Sequence, residues 1–480
     1  MLGLVCLLLM PLVAFGGRSP TIAITFAVLS VGYAAIASPR LMMPLDRSLC
    51  LLAAAVVIQL VPLPPIIANL LSPHGAALRR SLSLLPSGSA WQPLSINPQA
   101  TAEAAFELIG AFALFVAARE QLASGGFRRL SRAIAMIGFG VAFLGIAQAA
   151  TGGRSIYWLF PTEVEGPLPF GPFVNRNHFA TWIIMAMPLC LGYMAARMPP
   201  RQPDSEQPTA RLDARAAWMI GALVTMLLAL LLSLSRSGAL GLAVAAIGTL
   251  FLTRHAMDGW YVRRLGATVA VVTLLAVSWA DLPAIHERLA GMRGGLVNRL
   301  VIWNETLPVV RDFWLTGVGA GAYETAMRVY QRSDRKTYFN QAHNHYLQVA
   351  AEGGLLLTVP LVIALVAFVR TARNRLQRDR TPMWRIRVGA ACGLAAVALQ
   401  SVWETGLGMT ANSAMAALLG GILVCERRPL SKPAKRARSK TPRVEERQSK
   451  AVGDSVPGTD EVGVGEDVLA QESETKSEPS

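Results

Sequence analysis

Apolar residues come in long blocks that begin near Leu2, Thr21, Leu51, Ala102, Ala133, Phe179, Ala216, Ala239, Leu265, Tyr346, Val388 and Ser413. Runs of about 17 to 25 such residues have the length a helix needs to span a hydrocarbon core of roughly 30 Å. The pattern predicts an all-α polytopic membrane protein with about twelve transmembrane helices. Several runs are short or interrupted by Gly and Pro, which widens the expected number to about 10 to 14. The first run, residues 2–15, lacks the basic stretch that opens a secretory signal and is expected to be a retained helix.

Composition supports this reading. With 53% hydrophobic and only 16% charged residues, and a mean hydropathy of +0.41, the excess apolar surface has to face lipid. The formal charge of +15 would suit a nucleic-acid partner if it were gathered in one patch, but it is distributed among alternate loops. Arg40 and Arg47, then Arg119, Arg128, Arg129 and Arg132, then Arg197, Arg201, Arg211 and Arg215, then Arg254, Arg263 and Arg264 mark successive connections, and Arg370 to Arg387 crowd another. Positive residues stay on the cytoplasmic side, so these loops face the cytoplasm. With twelve spans both termini lie there too, and no nucleic-acid partner is expected. The five cysteines fall in or beside apolar runs without a Cys-x-x-Cys spacing, which suggests neither a disulfide framework nor a zinc site.

The remaining loops then face outward: roughly residues 71–101, 151–178, 235–237, 281–344 and 404–412. The fourth is the longest, between the helices near 265–280 and 346–369. Its aromatic residues Trp303, Phe313, Trp314, Tyr323, Tyr330, Tyr338 and Phe339 predict a folded cap, with an amphipathic helix over residues 300–310. Residues 1–425 form the expected transmembrane domain. Residues 426–480 change character, basic and Pro-containing at first and then acidic, and are expected to be a disordered cytoplasmic tail.

Residues able to do chemistry gather on the outward side: Asn175, Arg176, Asn177 and His178, then Arg236, Arg299, His343, Asn344 and His345. Arg236 sits in Ser235-Arg236-Ser237, a tight turn between two apolar runs, where it either anchors the hairpin or pairs bidentately with an anion such as phosphate. Arg299, four residues before Trp303, is a second candidate of the same kind. His345, Gln348 and Glu352 share one helix face. Glu352 is placed inside the bilayer, where a carboxylate needs either an arginine or a hydrogen-bond network. A histidine at the membrane edge could accept a proton from an acceptor hydroxyl, and spacing does not separate His343 from His345 in that role. The His-x-His pair has no third metal ligand nearby in sequence, so no metal is expected. Gly317, Gly319 and Gly321 lack the strand and helix that a dinucleotide loop requires.

Four segments, GPFVNRNHFA (171–180), SRSG (235–238), LTGVGAGAY (315–323) and AHNHYLQVAAEGG (342–354), together with Arg299 and Trp303, follow one another in an order that resembles the O-antigen ligase and O-antigen polymerase family of membrane glycosyltransferases. One departure is Leu357, where the family often has glycine. The resemblance implies a metal-independent enzyme without a cofactor that moves a glycan from undecaprenyl diphosphate to an acceptor hydroxyl, at the periplasmic face of the bacterial inner membrane. The acceptor would be another glycan, a lipid A core or a protein. It implies that Arg236 and Arg299 hold the diphosphate, that His343 assists the acceptor, and that Asn344, His345, Glu352, Arg176 and His178 help bind substrate. Membrane lipids are the other expected partner. The alternatives are a polysaccharide or lipid transporter, which should show polar residues in broken mid-membrane helices, and a scaffold acting through its tail.

Overall fold

A computed structural model describes residues 1–17, 19–41, 43–82, 91–152, 154–162, 169–197, 213–253, 292–333 and 338–426. The helices of the first half are α1 (Leu2–Val13), α2 (Pro20–Ala37), α3 (Pro44–Ile58), α4 (Pro65–Leu71), α5 (Pro73–Leu82), α6 (Pro98–Ala123), α7 (Phe127–Ala150) and α8 (Arg176–Arg197). They are followed by α9 (Ala214–Leu232), α10 (Arg236–Thr253), α11 (Met292–Asp312), α12 (Tyr323–Tyr330), α13 (His345–Arg378), α14 (Met383–Gln400) and α15 (Thr410–Val424). Seven of these, α2, α6, α7, α8, α9, α10 and α13, are long and apolar enough to cross a membrane, and α1 and α15 are shorter apolar helices. The runs near Leu51 and Val388 form α3 and α14. The run near Leu265 and the tail from residue 427 lie outside the described residues.

Helix α8 is the hub, because its sequence is apolar all round and nearly every one of its residues is buried. Lipid tails are as apolar as leucine, so close packing rather than hydrophobicity must bring membrane helices together. Small residues supply it where α14 crosses α8. A Cβ on Gly389 would lie 2.2 Å from the Pro188 carbonyl oxygen, and one on Gly393 3.0 Å from that of Met185. Along α10 and α14, Ser237 meets Gln400, Gly241 meets Ala396 and Gly248 meets Cys392, so the two run antiparallel.

Successive long helices alternate in direction and give the bundle two chemically different ends. At the end that holds Met1 sit many of the arginines used to predict topology. Two of them are buried clamps rather than free loop charges. Arg119 pairs with the buried Asp46 and donates to the Arg40 carbonyl. Arg387 donates to the carbonyl oxygens of Ile422, Leu423 and Cys425, and to Asp379 at 2.9 Å. The last carbonyls of a helix have no intrahelical donor, and a guanidinium fork supplies several at once.

The opposite end carries a folded cap, as the aromatic content of residues 281–344 predicts for its described part. Leu78 of α5, Val309 of α11, Phe313 just after it, Tyr323 and Met327 of α12, and Ala342 form a small core of their own. Helix α11 runs the length Met292–Asp312, well beyond the expected 300–310. Trp303 Nε1 donates to the Ala342 carbonyl at 3.0 Å and Tyr330 donates to Asp312 at 2.8 Å, tying the cap together.

Helix α13 is broken at Gly354, whose φ of 51° and ψ of −151° suit only glycine. The groups freed there are taken up by the segment before α12. Leu355 and Leu356 donate to the carbonyls of Trp314 and Leu315, while Val318 and Gly319 donate to those of Ala351 and Glu352. Gln59, fully buried just after α3, completes the junction: its Nε2 reaches the carbonyls of Thr316 and Glu352, and its Oε1 accepts from the Ala320 N–H at 2.9 Å.

Candidate functional site

Several chain segments meet beside the cap, at the bundle end remote from Met1. The turn after α14 carries Glu404, buried to 2% exposure. Arg299 of α11 donates to its Oε1 at 2.6 Å, and Asn177, in the first turn of α8, donates to the same oxygen at 2.9 Å. Arg176, the first residue of α8, adds a second positive charge acting on this carboxylate. Burial nevertheless dominates and pushes Glu404 up to about 7, against the pull of Arg299, Asn177 and Arg176.

His343 belongs to the same cluster. The charge of Arg299 acts on it, and this, after burial, holds its pKa below the ordinary histidine value. Its φ of 48° puts it in the left-handed region, which costs a non-glycine residue energy and is found where surrounding structure fixes a side chain for use. Asn344 follows as the N-cap of α13, its Oδ1 accepting the Leu347 N–H at 3.0 Å. The His345 N–H donates to the Ser401 carbonyl at 2.8 Å, which ties this segment to the turn that bears Glu404. The Nδ1 atoms of His343 and His345 are buried without a hydrogen-bond partner among the described residues.

Arg236 stands exposed at the first residue of α10, after Leu234, another left-handed non-glycine residue. Its neighbour Ser237 accepts from Gln400 Nε2 at 3.2 Å, and Gln400 Oε1 accepts from Thr181 at 2.9 Å, one turn along α8 from Asn177. This polar string joins the starts of α8 and α10 to the end of α14. His178 lies deeper, buried in α8, and its carbonyl accepts from Asn412 of α15 at 3.1 Å.

Glu352 is placed differently from the rest. Its carboxylate accepts from the backbone N–H groups of Gly321 and Tyr323 and from Gln348 Nε2 at 3.0 Å. Of the two partners expected for it, an arginine or a hydrogen-bond network, the structure has the network. Its contacts hold the cap onto α13.

The sequence reading missed Glu404, Gln400 and Gln59, and named Asn177 only in passing. The one signal was that Glu404 opens an outward-facing loop. Its partners Arg299 and Asn177 stand 105 and 227 residues away in the chain, a juxtaposition no local pattern encodes. Among the described residues no group of three His, Cys, Asp or Glu side chains is placed to hold a metal ion. A cavity of about 670 Å³, lined by Met1, Gln121, Arg128, Arg129, Arg132 and Met383, opens at the other end of the bundle.

Residues 221–362 match the family model described as O-antigen ligase. No curated protein matches the chain. The matched segment runs from α9 into α13 and contains Arg236, Arg299, His343, Asn344, His345 and Glu352, while Arg176, Asn177 and Glu404 join the cluster from outside it. The chain thus combines seven described helices of membrane-spanning length with a segment, residues 221–362, that is similar to the O-antigen ligase family.

Proposed function

We propose that the chain is a metal-independent glycosyltransferase that moves a glycan from undecaprenyl diphosphate to an acceptor hydroxyl at the periplasmic face. The observation that carries this reading is the meeting of Arg176, Arg299 and His343 around one buried turn at the capped end of the bundle. A diphosphate leaving group gains negative charge as its bond to the sugar breaks, and fixed guanidinium groups aimed at it stabilise that charge. The acceptor oxygen attacks the anomeric carbon, the bond from that carbon to the diphosphate oxygen breaks, and the hydroxyl proton passes to His343. Arg236, exposed nearby, reaches toward the second phosphate, and Asn344 and His345 hold the His343 segment in place. If the chain has the twelve spans its apolar runs suggest, with both termini in the cytoplasm, this site faces the periplasm and the polar tail from residue 426 lies inside.

Broken helices are a mark of transporters, where the freed backbone lines a cavity. The break in α13 is instead filled by residues 314–319, which weighs against transport. The test is transfer by the purified protein in proteoliposomes from a lipid-linked glycan to an acceptor glycan or lipid A core. Wild type should be active with EDTA present, and Arg299→Ala and His343→Ala should each lose most of the rate. Full transfer by both variants would remove these side chains from the reaction.

A further inference from the structure

Glu404 has no role in the transfer as written, and at first sight it opposes it. A buried carboxylate in the middle of a site for a dianionic diphosphate repels the ligand. Its surroundings give it a purpose. It is 2% exposed, whereas the Arg299 side chain above it keeps 28% of its surface open, so a ligand reaches the guanidinium and not the carboxylate. Glu404 uses one donor of the guanidinium fork, which carries five in all. Asn177 fixes the carboxylate from the other side at 2.9 Å. The charged and titratable groups around it are Arg299 from α11, Arg176 from α8 and, beside Arg299, His343 from the segment before α13.

We propose that Glu404 is a positioning residue, the resident counter-ion of this arginine cluster: it holds Arg299 in its binding pose while the site is empty and releases it to the diphosphate of the incoming donor. The inference rests on the diphosphate-transfer reading above. Arg299 and Arg176 both act on Glu404, and without its charge their like charges would be left uncompensated in the empty site. When donor arrives, the guanidinium exchanges one anion for another, and Glu404, left buried without its ion pair, takes up a proton from solvent. A carboxyl already raised to about 7 needs little further push to do so.

Donor binding should therefore depend on the charge of Glu404. The probe is a short prenyl diphosphate carrying one sugar, whose two phosphates stay singly ionised at neutral and alkaline pH, binding to the full-length protein in detergent. A carboxyl raised to about 7 is charged at higher pH and competes for Arg299, so wild-type affinity should weaken as pH rises from about 6.5 to about 8.5. His343 is held below its ordinary value by burial and by the charge of Arg299, so its own titration lies toward the acid side of that window. Glu404→Gln keeps an oxygen for Arg299 and Asn177 but loses the charge. It should bind the probe about tenfold more tightly than wild type near pH 8.5, and its affinity should not change with pH. Weaker binding by Glu404→Gln at every pH, the mark of a merely structural residue, would overturn the proposal. So would a flat wild-type profile, which decides the matter even if the variant does not fold. Wild type that fails to bind the probe at any pH would instead remove the diphosphate reading, and this proposal with it.

Discussion

Arg299 and Glu352 resemble each other in the sequence, each a charge beside an apolar run, yet the fold uses them for different purposes. Arg299 is partly open, and a single carboxylate holds it. Glu352 accepts from three donors and its backbone carbonyl from two more, so its visible work is to hold the cap. Their substitutions should separate accordingly. Arg299→Ala should lower kcat by about 10²- to 10³-fold and lower the melting temperature less than Glu352→Ala does, since Glu404 keeps Asn177 and can take up a proton. Arg299→Lys should restore little of the rate, since a point charge does not reproduce the fork. Glu352→Ala leaves the Gly321 and Tyr323 N–H groups and the Gln348 amide without an acceptor. At about 1–3 kcal/mol for each buried orphan, it should cost several kcal/mol, visible as a lower melting temperature in detergent. The proposed base has a pH signature of its own. His343 must be neutral to accept a proton, so the transfer rate should fall as pH drops through its depressed pKa, somewhere below about 6.5, and the acidic limb should vanish in His343→Gln. His343 stood out in the sequence because it opens a polar motif at the edge of an apolar run, and Arg299 because it precedes Trp303 in the long outward loop. Glu404 did not, since its meaning lies wholly in partners that folding brings from other helices.

At the scale of elements, the long apolar runs announced their helices directly, and α2, α6 to α10 and α13 lie where the runs predict. What hydropathy could not convey is where helices touch. Gly389 and Gly393, spaced four apart on α14, form the seam against α8, and their signal is an absence of side chain that reads as neutral on any hydrophobicity scale. A matched pair of substitutions tests this seam. Gly389→Ala drives a methyl into the Pro188 carbonyl, 2.2 Å from an ideal Cβ, and must push α14 off α8. Gly221→Ala in α9 meets open space. The first should destabilise the protein by about 1–3 kcal/mol, the usual range for overpacking, and the second should leave it unchanged or slightly steadier. Equal melting temperatures for the two would show that α8 and α14 are not held by close packing. The break in α13 was likewise hidden. The Gly353-Gly354 pair allowed it, but the partners that fill it, residues 314–319 and Gln59, come from the cap and from α3.

For the whole molecule, the two ends of the bundle differ in what their arginines do, and this asymmetry bears on orientation. At the Met1 end, Arg119 and Arg387 are sealed inside the protein, while Arg128, Arg129 and Arg132 stay exposed around a cavity. At the capped end, Arg176, Arg236 and Arg299 are at least partly open, and acidic or polar partners surround the site. Buried clamps serve stability on either side of a membrane, so only the exposed arginines speak to orientation. Those exposed at the Met1 end lie in the first turns of α7, next to the short connection after α6, where positive charge is kept in the cytoplasm. The cap belongs to a long connection, which translocates whatever its charge. Orientation can be read with a membrane-impermeant maleimide on intact spheroplasts, using a protein whose five native cysteines are replaced by alanine. Arg311→Cys, on an exposed position of the cap, should label from outside, and Ser124→Cys, in the turn between α6 and α7, only after lysis. The opposite labelling would put Arg299, Glu404 and His343 in the cytoplasm. There they could not meet a donor presented on the periplasmic leaflet, whatever their geometry.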